Sequence, residues 1–191
     1  MLGSHVHLAG VLVGLFESRF DPGVLDGAPR EERSEALAQE ARGALDQVAS
    51  LDHDRILRSL LAAVQATLRT NHFCTAPQGR TGAEDAPPPY LVLKLDPQRI
   101  PDMPAPRPRY EIFVYSPRME GVHLRFGSVS RGGLRWSDRP EDFRTEILGL
   151  VKAQMVKNAV IVPNGSKGGF VAKQLPDPGV DRDAWLAEGK A

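Results

Sequence analysis

The sequence predicts an α/β fold: a helical leading segment followed by part of a layered sheet-and-helix region. Three observations predict it. Apolar residues recur at helical spacing before residue 70, and short strand-forming runs follow Pro89. Between 122 and 170 the pattern passes from apolar–polar alternation, through a glycine pair, to an amphipathic helix and then to a continuous apolar run.

The elements follow in order. Residues 8–16 (LAGVLVGLF) are short and apolar. The seven residues before them carry no Lys or Arg, only His5 and His7, and Glu17, Ser18, Arg19 and Phe20 follow, so a buried helix is expected rather than a secretory leader, which needs a basic start and a small-residue cleavage site. Asp21-Pro22-Gly23 is a turn signal. Leu37, Ala41, Leu45 and Val48 mark a second helix; Ile56, Leu57, Leu60, Leu61, Val64 and Leu68 mark a third, with Ser50 or Asp52 as its cap. Residues 75–89 lack periodicity and end in three prolines, as a linker or exposed loop does. Residues 90–95 (YLVLKL) and 112–115 (IFVY) read as strands, separated by a five-proline segment that excludes regular structure. Residues 122–126 (VHLRF) alternate as a half-buried strand. A helix is expected from Ser137 or Asp138, with Pro140, Glu141 and Asp142 in its first turn and Phe143, Ile147, Leu150, Val151 and Met155 on its apolar face. Residues 159–162 (AVIV) suit a strand buried on both faces, and Trp185 and Leu186 a last helical turn. The expected organisation is thus a helical flank (1–74), a linker (75–89), the sheet-bearing region (90–175) and a tail (176–191).

Composition narrows the function. The 191 residues hold 24 Lys+Arg against 24 Asp+Glu, with 41% hydrophobic and 25% charged residues, which excludes collagen, coiled coil and full-length disorder. No run approaches the roughly 18 apolar residues of a membrane span. The single cysteine, Cys74, forms neither an internal disulfide nor a thiolate cluster, and a reducing cytoplasmic setting is the simplest reading. Residues 1–90 carry 8 basic and 12 acidic residues, whereas residues 120–170 carry 8 basic and 5 acidic. That mild basic balance is too small for a nucleic-acid footprint and suits a small dianion.

Two glycine loops carry the cations. One is Ser130-Arg131-Gly132-Gly133-Leu134-Arg135-Trp136; the other is Pro163-Asn164-Gly165-Ser166-Lys167-Gly168-Gly169-Phe170. Glycine lets a ligand approach the main chain. Gln154 and Lys157, three apart, share a helix face between them. If Arg131, Lys157 and Lys167 converge, they offer two anchors for a dicarboxylate and a third amine for chemistry: arginine grips a carboxylate bidentately, lysine acts as a point charge. Lys167, crowded by cations and shielded from water, would favour its neutral form and act as a general base.

The stretch 111–170, EIFVYSPRMEGVHLRFGSVSRGGLRWSDRPEDFRTEILGLVKAQMVKNAVIVPNGSKGGF, resembles the catalytic region of the large-subunit NAD-dependent bacterial glutamate dehydrogenases. FESRFDP, ASLDHDRILRSL, LRTNHF and YLVLKLDPQRIPDMPAPRP are similar to that family's upstream sequence. The wider superfamily carries a KGGLR-type loop, a QxxK helix end and a GGAKGG-type loop. The resemblance implies a substrate-binding subdomain of glutamate dehydrogenase type over 90–175. By match, Arg131 binds the substrate side-chain carboxylate, Gln154 and Lys157 the α-carboxylate, and Lys167 is catalytic, with Gly132, Gly133, Gly165, Gly168 and Gly169 as the substrate-loop glycines. Arg131 stands where lysine is usual, and the interval from Lys157 to Lys167 is short, features the large-subunit group shares. The implied activity is oxidative deamination of L-glutamate to 2-oxoglutarate and ammonia with NAD, in a homo-oligomeric parent. The implied partners include no nucleic acid, membrane or metal. The sequence has no GxGxxG, so NAD is expected on a domain outside this chain, which reads as an inactive fragment of its parent.

Other readings stand beside this one. The lone Arg131-Gly132-Gly133 lacks the repeats of an RNA-binding RGG tract, and residues 164–169 lack GxxxxGK(S/T) spacing. Lys157 at a helix end would complement the helix dipole whatever the function. Arg135, Arg139 and Arg144 are expected at the surface or ion-paired, Glu141 and Glu146 in solvent, and Met155 and Trp136 in the core. His53 and His72 lack spaced partner ligands, and Cys74 is expected to be a structural thiol. The alternative from another class is a non-catalytic interaction domain whose glycine loops only turn the chain.

Overall fold

The computed structural model describes residues 1–24, 27–74, 88–130, 132–157 and 164–190. The chain divides into two compact units, one of residues 1–87 and 95–105, the other of 88–94 and 106–191.

The first unit is helical. Helix α1 (Val6–Phe20) contributes Leu8, Val11, Leu12 and Leu15 to a core shared with Ala38, Ala41 and Leu45 of α2 (Ala28–Leu45) and Leu57 and Leu61 of α3 (Leu51–Ala66). The expected leading helix is therefore present and buried on one face. Ser50 caps α3, its hydroxyl accepting the His53 N–H at 3.4 Å. The apolar stripe of α3 is wider than the buried face: Leu57 and Leu61 are inside, whereas Ile56 and Leu60 are exposed. Leu68 lies beyond the helix, in strand β1 (Thr67–Thr70). The Asp21-Pro22-Gly23 turn forms with the Gly23 N–H on Asp21 Oδ1 at 2.7 Å. The proline-rich segment contains one short 3-10 turn (Pro97–Arg99), capped by the Asp96 carboxylate.

The second unit is a mixed sheet with a helix on it, an α/β arrangement. Among its described residues the strand order is β2 (Leu91–Leu95), β3 (Tyr110–Tyr115), β4 (Met119–Arg125), β6 (Ser166–Ala172) and β5 (Leu134–Trp136). The β3–β4 and β4–β6 pairs are antiparallel, and β5–β6 is parallel. Helix α4 (Phe143–Lys157) connects the parallel pair. It buries Phe143, Ile147, Leu148 and Val151 against Val122, Leu124 and Val171 of the sheet.

Three sequence expectations shift here. A strand–helix–strand unit is present, but the strands that α4 joins among the described residues lie in segments expected to be glycine loops, while the expected strand at 122–126 overlaps β4. In the glycine-bearing segments, residues 134–136 form β5, and residues 166–172 form β6. Packing explains this. A Cβ on Gly169 would lie 2.1 Å from Ile147 Cδ1, and one on Gly168 2.6 Å from Leu134 Cδ2, so the two glycines mark close approach of neighbours to a strand rather than a turn. Residues 159–162, Arg131 and most of the 75–89 linker lie outside the described residues. Helix α4 starts at Phe143, later than Ser137 or Asp138, because the Ser137 hydroxyl is committed elsewhere: it accepts the Arg139 N–H at 3.1 Å and donates to Glu146 Oε2 at 2.6 Å. Glu146 is therefore not a solvated residue. Ser137, and then Arg135 at 3.0 Å, hold its carboxyl below the usual carboxylate range. Residues 182–190 of the expected tail form helix α5 (Arg182–Lys190), and Trp185 stacks on Trp136 at 4.6 Å.

Candidate active site

Strand β6 places Lys167. Side chains alternate along it, so Lys167, Gly169 and Val171 share the face covered by α4, while Ser166, Gly168 and Phe170 face the other way. Lys167 Nζ donates to the Gly132 carbonyl at 3.4 Å. The same glycine pair is tied to the strand a second time, by the Gly168 N–H on Gly133 O at 2.9 Å. Gly133 has φ +153, and a Cβ there would come within 2.7 Å of Lys167 Nζ. The backbone conformation favours glycine at 133, since L side chains rarely adopt it, and a Cβ there would push the flexible Lys167 amine aside.

Helix α4 brings the next residue. Gln154 Oε1 accepts the Ser166 N–H at 3.2 Å, one residue from Lys167. That contact turns the amide oxygen toward the strand. Gly165 makes the approach possible, because a Cβ there would lie 2.9 Å from Val151 Cγ1 and 3.2 Å from Gln154 Oε1. Lys157 is exposed and lies three residues further along α4, roughly 4.5 Å in axial rise. Gly132, Gly133, Gln154, Gly165, Lys167 and Gly168 are thus linked through direct contacts, while Gly169 is taken up by packing against α4.

The arginines around the first loop are held in place. Arg135 pairs with Glu146, Arg139 with Asp142, and Arg144 with Glu111 through two hydrogen bonds of 2.7 and 2.6 Å. Sequence reading missed His123 and Ser166, which meet at 2.9 Å (Nε2 to Oγ). Burial, and then Arg125, lower the proton affinity of His123. The alternation of VHLRF put His123 on a strand, but nothing local paired it with residue 166; only the β4–β6 register does so. Among the described residues no group of three or more His, Cys, Asp or Glu is placed to hold a metal. A groove of about 870 Å³ in this unit opens elsewhere, between Val114, Met119, Phe170, Ala172 and Gly189.

A family model described as "Bacterial NAD-glutamate dehydrogenase, catalytic domain" matches residues 40–191. Proteins named NAD-specific glutamate dehydrogenase are similar over the whole chain: 57% identical in Mycobacterium tuberculosis, covering 12% of that protein, and 54% in Halomonas elongata, covering 11%. A third, in Pseudomonas aeruginosa, is 53% identical, again over the whole chain and 11% of the relative. The chain therefore spans about one eighth or less of the length of these relatives.

Proposed function

The chain belongs to the bacterial NAD-glutamate dehydrogenase catalytic-domain family, and from that premise we propose that it supplies the substrate side of an enzyme that oxidatively deaminates L-glutamate. One observation carries the proposal: Lys167 reaches the Gly132–Gly133 segment while Gln154 is locked on the adjoining Ser166. Of the residues matched to the family's substrate and catalytic positions, Gln154 and Lys167 lie beside one another at the start of β6, which supports the reading. Arg131 adjoins Gly132 in the chain, and Lys157 lies one helical turn past Gln154. In this reading Arg131 binds the side-chain carboxylate, and Gln154 with Lys157 the α-carboxylate. The interaction-domain alternative has less support, since Gly168 and Gly169 are strand residues and turn nothing.

The chemistry assigned to the residues follows. The two carboxylate anchors hold glutamate so that its Cα–H has one orientation, which removes rotational freedom before the reaction. Hydride loss from Cα needs an acceptor, which NAD would supply when bound; the 191 residues hold no GxGxxG fingerprint, and none of them is assigned to holding it. The product of that step is 2-iminoglutarate. Lys167 takes a proton from water as the water oxygen bonds to the imine carbon and the C=N π pair moves to nitrogen; the lysine then returns that proton to the nitrogen, the C–N bond breaks with its electron pair leaving as ammonia, and the C2 hydroxyl gives its proton to solvent as the carbonyl of 2-oxoglutarate forms.

Titration of 2-oxoglutarate into the full-length protein tests the substrate assignment. Lys157→Ala is expected to raise Kd by roughly 10- to 100-fold, the loss of one charge-assisted anchor. An unchanged Kd would remove Lys157 from the site.

A further inference from the structure

Ser166 and His123 border the site without a part in the reaction just described. We infer that they form a positioning pair that fixes Lys167, an inference that rests on the glutamate-site reading. Ser166 is 3% exposed, and it is gripped from two elements: its N–H by Gln154 of α4 at 3.2 Å, and its hydroxyl by His123 of β4 at 2.9 Å. The residue that precedes the lysine is therefore pinned to the helix on one side and to the neighbouring strand on the other.

A buried hydroxyl is costly unless bonded, so serine here demands a partner that alanine would not. His123 is that partner, and its own setting keeps it in one place. Its strand neighbours in register are Ile112 of β3 and Gly168 of β6, and a Cβ on Gly168 would touch its ring at 3.3 Å. The charged group acting on it is Arg125; Lys167 lies on the opposite face of β6. Burial, and then Arg125, favour the neutral form of the ring where it meets the serine. Lys167 carries a flexible four-carbon stem, and a displacement of about 1 Å at a reacting group can cost on the order of 100-fold in rate. Fixing the backbone at 166 limits where Nζ can reach.

Steady-state kinetics of the full-length protein with glutamate and NAD test this. Ser166→Ala and His123→Ala are each expected to lower kcat about 10-fold while KM for glutamate changes by less than about two-fold. The double variant should be no slower than either single one, because both remove the same bond. His123→Gln, whose amide can still meet the hydroxyl, should recover most of the loss. Unchanged kcat in the single variants, losses that multiply in the double variant, or an effect confined to KM would overturn the pairing. Lys167→Ala is the reference. If it keeps full turnover, the glutamate-site reading falls and this inference with it. If it is inactive while Ser166→Ala and His123→Ala are fully active, the positioning role alone falls.

Discussion

Replacing Lys167 with alanine is expected to reduce glutamate oxidation by the full-length protein about 1,000-fold, with a much smaller loss of affinity for 2-oxoglutarate. The lysine is assigned the proton transfer to and from water, and a positioned general base contributes on the order of 100- to 10,000-fold. Carboxylate binding is assigned to other residues, so the loss should fall on kcat rather than on KM. Lys167→Arg should be nearly as slow, because a guanidinium stays protonated and cannot serve as a base. Comparison of initial NADH formation across the three proteins decides it; a Lys167→Ala variant within ten-fold of the parent would assign the base elsewhere.

The second large effect concerns stability. Glu111 on β3 is 4% exposed, and both of its oxygens accept from Arg144 on α4. This bidentate pair ties the helix to the sheet at the end where α4 begins. Removing one partner takes away the bidentate counter-ion of the other in a largely dry setting, and losses from breaking such pairs run to about 3–5 kcal/mol. Glu111→Ala should sit near the lower bound, about 3 kcal/mol, because Arg144 retains some access to water. Glu111→Leu with Arg144→Met should regain much of that, since two apolar groups leave no orphaned charge. Urea unfolding of the full-length protein followed by a probe in this unit, such as the fluorescence of Trp136, measures it. A loss below about 1 kcal/mol would mean that the pair is solvated in solution.

Much of this fold is legible in the sequence where burial is local and periodic. The stripe around Leu57 and Leu61 announces α3, and the alternation around Val122 and Leu124 announces β4. Strands β5 and β6 are not legible in the same way. Gly168 and Gly169 look like chain breakers, and only their neighbours Leu134 and Ile147, brought in by the fold, explain why a strand must be bare there. The start of α4 fails for a related reason. Ser137 has the form of a cap, but its hydroxyl bonds to Glu146, nine residues on.

The site divides along the same line. The resemblance singled out Gln154, Lys157 and Lys167 from their motifs, and local chemistry gave them charge and polarity suited to carboxylates. What no motif carried is the geometry between elements: Gln154 on the Ser166 N–H, Lys167 on the Gly132 carbonyl, and His123 under Ser166. Each joins residues 12 or more positions apart, a separation no helical or strand period spans.

The most direct test of the central claim is an experimental structure of the full-length protein with 2-oxoglutarate bound. The account predicts Lys167 Nζ within hydrogen-bonding distance, about 3 Å, of the C2 oxygen, Gln154 and Lys157 on the adjoining carboxylate, and Arg131 on the far one. A ligand seated away from the Gly132–Gly133 segment, or Lys157 and Lys167 on separate surfaces, would contradict it.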